Sequence, residues 1–194
     1  MAIVDHDSLM TLEAYAKARP EFRKKAIAHK ARRKVFVGNH VMLQFEDEVT
    51  VRYQIQEMLR IEKTFEQEGI QDELDAYTPL LPTGSNWKAT QAIEYADVEE
   101  RKQKLVELKG LERHTYVQVG DNDRVYAIAD EDLPRENEEK TSAIHFLRFE
   151  LSAVMVAGAK AGEPIAIGVD LPAYSVHVPE IAPETQTSLV DDLI

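Results

Sequence analysis

The sequence predicts an α+β fold, a mostly antiparallel or mixed sheet from the C-terminal half covered by N-terminal helices. Three observations predict it. Apolar residues recur at helical spacing in the first third of the chain and with period two in the last half. Turn-forming segments such as Gly38-Asn39 and Gly120-Asp121-Asn122-Asp123 separate short apolar runs, which favours hairpins. One strand–helix–strand unit, 141–170, allows a single parallel pair. Helices that cluster early and strands that cluster late indicate α+β rather than alternating α/β.

The elements follow in order. Ser8 is placed to cap a helix running to about Ala18, and Arg19-Pro20 breaks it. Pro20 suits the first turn of a second, basic helix to about Arg33. Val35–Val37 and Val41–Phe45 read as strands. A long helix spans about Asp47 to Gly69, with Gly69 as its stop, and a short one spans Gln71–Tyr77. After the turn-rich segment 79–86, Trp87–Tyr95 reads as a strand. Asp97 caps a helix to Lys109, which Gly110 closes. Thr115–Val119 and Arg124–Ala129 form a hairpin, and 130–140 is an acidic loop. Thr141–Leu151 is a long strand, Ser152 caps a helix to Ala161, and strands follow at 164–170 and 174–178. The expected organisation is one α+β domain, 1–178, with a loosely held tail, 179–194.

Composition narrows the chemistry. The 194 residues contain no cysteine, which removes disulfides, thiol catalysis and any cysteine-ligated iron–sulfur cluster held by this chain. Other cofactors stay open, and a metal would need His, Asp or Glu ligands. No apolar run reaches the length of a membrane span, and Met1–Asp7 lacks a signal-peptide pattern, so a cytoplasmic location with no membrane contact is expected. The formal charge of −12 argues against nucleic-acid binding. It is unevenly spread: segment 17–34 carries nine of the 23 Lys and Arg and one acid, net +8, leaving −20 elsewhere. Such a helix can dock on an acidic protein surface or grip an anion. It also reads as a solvated face with Phe22, Ala26 and Ile27 turned inward. Nothing in the sequence sets an oligomeric state.

Candidate site residues lie mostly in the long helix. At about 100° per residue, Glu62 falls within the stripe of Val51, Ile55, Met58, Leu59 and Phe65, with Glu66 one turn on. A carboxylate aimed at a core must be paired, protonated or bound to a cation. Glu62 and Glu66 are therefore candidate catalytic or metal-ligating residues. In 141–151, alternation places His145 on one strand face and Arg148 on the other. His145 beside Glu62 would suggest acid/base or metal chemistry, whereas Arg148 beside it would suggest a structural ion pair. A lone histidine on an apolar face also reads as a hydrogen-bonded core residue. Arg52, Gln56, Arg60 and Lys63 form a second stripe, so Arg52, Arg60, Lys63 and Arg148 are anion-binding candidates, against the plainer reading of a solvated face. No phosphate loop, HExxH or GxSxG motif occurs.

Three stretches carry a family resemblance: 44–77 (QFEDEVTVRYQIQEMLRIEKTFEQEGIQDELDAY), 117–130 (VQVGDNDRVYAIAD) and 136–151 (ENEEKTSAIHFLRFEL). The chain resembles, over nearly its whole length, an uncharacterised bacterial domain-of-unknown-function family. What the resemblance implies is context: such proteins tend to be encoded beside rubrerythrin-like and iron–sulfur oxidoreductase proteins. It supplies no catalytic residues. The expectation is a non-enzymatic accessory or binding protein for an oxidative-stress or iron–sulfur redox system. Its partner would be a redox protein encoded nearby or an acidic protein surface at helix 17–34. The alternative is a small enzyme or metalloprotein built on Glu62, Glu66 and His145.

Overall fold

The computed structural model describes residues 4–137 and 139–194; Met1–Ile3, within the segment read for a signal peptide, and Glu138, within the acidic loop, lie outside the described residues. The fold is α+β, with the strands concentrated in the C-terminal half. The chain divides into two compact units, Met1–Arg32 with Glu46–Leu81, and Arg33–Phe45 with Pro82–Ile194.

The first unit is helical: α1 (Leu12–Ala31), α2 (Glu48–Glu62) and α3 (Gln67–Tyr77). Thr11, not Ser8, caps α1, its hydroxyl accepting from the Ala14 amide. Where the sequence predicts two helices, α1 runs unbroken through Pro20. The proline removes one backbone hydrogen bond and crowds the preceding turn. Contacts on both sides of it override that cost: Tyr15 and Ala26 are buried, and Tyr15 and Arg19 both hold Glu57 of α2. Asp47 caps α2 in a reciprocal box with Thr50. The helix then stops at Glu62 rather than at Gly69. Lys63 adopts a left-handed φ of 56°, and the Thr64 amide returns to the Leu59 carbonyl. Val4, Val51, Ile55, Leu59 and Leu74 form the core of this unit.

Among the described residues, the second unit holds nine strands in two sheets: β1 (Lys34–Val37), β2 (Val41–Phe45), β3 (Asn86–Ile93), β4 (Thr115–Val119), β5 (Val125–Tyr126), β6 (Ile128–Ala129), β7 (Ile144–Glu150), β8 (Ile165–Leu171) and β9 (Tyr174–Val178). One sheet runs β1-β2-β3-β7-β6, the other β5-β4-β8-β9, and every pairing is antiparallel. The sequence expectation of a single sheet is thus corrected. The parallel pair that 141–170 allowed does not form, because β7 and β8 enter different sheets. The expected strand 124–129 also divides: β5 pairs with β4, Ala127 crosses over, and β6 pairs with β7. Inward-facing residues of both sheets share one core, including Leu43, Phe45, Trp87, Leu147 and Phe149 against Val117, Ile165 and Ile167. Helices α4 (Val98–Glu107), α5 (Ala153–Lys160) and α6 (Pro183–Val190) add Leu105, Met155 and Leu189 to it.

The carboxyl-terminal segment departs from the loose tail the sequence suggests. Ile181, Leu189 and Leu193 are buried in the core, and the Trp87 indole N–H donates to the Leu189 carbonyl at 2.9 Å. Arg33, itself buried, donates to the Ser188 carbonyl and hydroxyl and pairs with Asp192. Two prolines, Pro179 and Pro183, and polar residues signalled a loop, but the apolar positions at 181, 189 and 193 give the segment a face to bury.

Candidate functional site

Two side-chain clusters, one in each unit, are the chemical features of this chain. The first surrounds His145. In the β3–β7 ladder His145 stands opposite Gln91, on the inward face of the sheet. Its Nδ1 lies 2.6 Å from Asp130 Oδ2. Its Nε2 lies 2.8 Å from the Thr141 hydroxyl, 3.0 Å from the Ser142 carbonyl and 3.8 Å from Glu112 Oε2. Asp130 reaches the ring because its own backbone is left-handed (φ 51°), a conformation aspartate tolerates better than most residues. Its second oxygen accepts the Phe146 amide at 3.0 Å. Both imidazole nitrogens therefore have oxygen partners, the Asp130 carboxyl group on one side and the Thr141 hydroxyl and Ser142 carbonyl on the other.

This arrangement is a buried polar network. His145 is 0% exposed and Glu112, Thr141 and Gln91 are each at or below 1%. The outer ends of the network are closed by arginines: Arg135 beside Asp130 and Arg113 beside Glu112 and Glu136. Gln91 donates to the Thr115 hydroxyl at 2.7 Å, tying the two sheets together. Glu112 and Asp130 lie against opposite nitrogens of the ring, so one ion cannot be shared by all three side chains. Among the described residues no three His, Asp or Glu side chains form a group able to hold a metal.

The long-helix candidates fall elsewhere. Glu62 is exposed, and because α2 ends there it does not share a helix face with Glu66, which precedes α3. The predicted stripe fails at its far end for the same reason: Phe65 is 71% exposed. The carboxyl nearest in effect to Glu62 is Glu73, which burial first, and Glu62 and Asp72 next, push above the usual carboxylate range. Glu62 and Glu66 belong to the first unit, His145 and Arg148 to the second. Arg148 is held by Glu131 and Glu150, and those bonds keep its guanidinium charged. Of the second stripe, Gln56 is buried and exchanges two hydrogen bonds with the Met10 backbone. Arg60 pairs with Glu57, and Lys63 is the left-handed end of the helix. Arg52 pairs with Glu48.

Arg52 also belongs to the second cluster, an open cleft of about 480 Å³ between α1 and α2. Phe22, Ala26, Ala28 and Val49 supply its apolar lining. Lys25, His29, Arg32, Arg52 and Glu48 supply its polar groups. Lys25, Ala28, His29 and Arg32 fall on one stripe of α1, at i, i+3, i+4 and i+7. His29 is bonded to Asp47, and Glu48 to Arg52. Lys25 and Arg32 are exposed and, among the described residues, no ion pair engages either. The segment 17–34 does not act as one basic surface: Lys17 pairs with Glu13, Arg19 with Glu57, and Arg33 is buried in the second unit.

Sequence reasoning missed Glu112, Asp130, Thr141 and Gln91. Their separations from His145 along the chain carry no short-range pattern. The one available signal was Asp130 at the head of the acidic run, directly after the apolar segment that ends at Ala129.

A family model described as "Protein of unknown function (DUF3501)" matches residues 3–193. No match is found among curated proteins. A solved structure, described as a novel protein of unknown function from Burkholderia pseudomallei K96243, shares 54% identity and a TM-score of 0.95, with each chain covered in full.

Proposed function

Because the chain belongs to the family described as proteins of unknown function (DUF3501), we propose from that premise that it is a non-enzymatic accessory protein that binds a partner through the cationic face of α1. The observation that carries this reading is the pair Lys25 and Arg32, exposed and without ion pairs beside an apolar cleft, on a chain of net charge −12. The His145 network, in contrast, is sealed from solvent and already satisfied on both ring nitrogens, which favours architecture over catalysis. No helix among the described residues is long and apolar enough to cross a membrane.

The partner proposed is a redox protein. That part rests on the gene context implied by the sequence resemblance, and on the absence of cysteine, which would leave cluster and thiol chemistry to the partner. The test is co-purification of the full chain with rubrerythrin-like and iron–sulfur proteins of the kind the resemblance implies, at low and moderate salt. Association that weakens as salt rises is the expected result. No association at either salt concentration overturns the redox assignment.

A further inference from the structure

We propose that the α1–α2 cleft is a receptor for an acidic peptide segment that also carries an aromatic or large aliphatic side chain. This rests on the binding role above and names the chemistry of the partner. The cleft combines two requirements. Phe22, Ala26, Ala28 and Val49 give an apolar surface, which gains from covering by another apolar group. Lys25, Arg32 and Arg52 bring three permanent cations, against the single carboxylate of Glu48.

The spacing of the cations selects a peptide over a small anion. Lys25 and Arg32 are seven residues apart on α1, about 10 Å along the axis at about 1.5 Å per residue. A single phosphate or carboxylate meets one of them. A peptide in a polyproline II-like conformation, with three residues per turn and about 3.1 Å per residue, places carboxylates three positions apart on one face over about 9 Å. Ala28, between the two cations on the same stripe, leaves room for the peptide backbone or an anchoring side chain to approach the helix. Arg52, on the opposite wall, gives its Nη2 to Glu48 and keeps an unsatisfied Nε–H. That Nε–H is buried, so an incoming carboxylate would meet the partly exposed remainder of the guanidinium beside Glu48. The cleft volume, about 480 Å³, is in the range of sites that take one or two anchoring side chains.

The test uses the full chain and calorimetric titration with a synthetic twelve-residue peptide carrying glutamates at every third position and a central phenylalanine. Two control peptides replace Phe by Ala or every Glu by Gln. Binding that falls at least tenfold with either control, and at least tenfold with Lys25→Glu or Arg32→Glu, is the expected result. Both substitutions are at exposed positions, and circular dichroism verifies that the variants are folded. Absence of binding to the parent peptide overturns the proposal. So does equal binding of the Phe-less peptide, which would reduce the cleft to a diffuse electrostatic surface, or equal binding of decanoate, which would make it a small-molecule site. Failure here is separable from failure of the accessory role. If the redox proteins co-purify equally with the wild-type chain and with Arg32→Glu, the role stands and the cleft is not its receptor. If the peptide binds and no redox protein co-purifies, the cleft stands and the redox assignment falls.

Discussion

His145 and Asp130 face each other across 2.6 Å inside the second unit, fifteen residues apart in sequence, and the contact holds the start of the acidic loop against β7. The histidine is fully buried and a second carboxylate, Glu112, lies on its far side. Removing the ring leaves the Asp130 and Glu112 carboxyl groups in the interior without the imidazole that separates and bonds them. His145→Leu is therefore expected to cost about 3–5 kcal/mol. Asp130→Asn, which keeps the shape and removes the charge, is expected to cost less. Chemical denaturation of the two single variants and the double variant measures this. Additive losses would show that the pair is not coupled.

Glu57 gives the chain a defined acid sensitivity. The Arg19 guanidinium beside it, with the Tyr15 hydroxyl and Arg60, outweighs partial burial and holds its carboxyl down to about 2. A carboxyl depressed in the folded state adds stability that is complete above its unfolded value and is lost as pH falls through its folded value. Arg19 is about one-third exposed, so solvent screening reduces the contribution to about 1–2 kcal/mol. Glu57→Gln is expected to lower the unfolding free energy by that amount at pH 6, with the gap to wild type closing between about pH 4.5 and pH 2. A gap that stays constant over that window would show that charge is not its origin.

The carboxyl-terminal segment should be a structural clasp. Leu189 is completely buried and its carbonyl accepts the Trp87 indole N–H. Leu189→Ala is expected to cost about 2–4 kcal/mol by leaving a cavity. Deleting residues 181–194 exposes Trp87 and leaves Arg33 without Asp192 and Ser188. A red-shifted tryptophan emission and loss of a cooperative transition are the expected readouts, and an unchanged emission spectrum would refute the clasp.

Pro20 is the one residue whose replacement should stabilise the first unit. It is exposed and lies within α1, where it supplies no N–H. Pro20→Ala restores a helical hydrogen bond and relieves crowding at the turn before it, with an expected gain of about 1–3 kcal/mol in thermal or denaturant unfolding. A loss instead would mean that the proline shapes a bend the packing requires.

The legibility of this chain follows the range of the forces involved. Asp97 and Ser152 were readable as helix caps because a cap acts within one turn. The end of α2 was not, because Lys63 takes a left-handed conformation that favours glycine or asparagine, and the packed helix around it decides that. One misplaced stop removed the whole argument for Glu62 and Glu66. The strand at 124–129 was readable as extended, but its division between two sheets depends on β7, which lies later in the chain.

The sequence by itself determined the α+β class, the order of most elements, the absence of thiol chemistry and the concentration of positive charge in one helix. These follow from side-chain periodicity, turn chemistry and composition, all short-range or additive properties. Tertiary structure alone decided that His145 is enclosed by Asp130 and Glu112 rather than exposed to a ligand, and that Lys25 and Arg32 flank an apolar cleft while Arg19 and Arg33 are consumed in ion pairs. The reason is that the partner of a buried or surface charge is set by which distant segments pack together, and the charge carries no local mark of that choice.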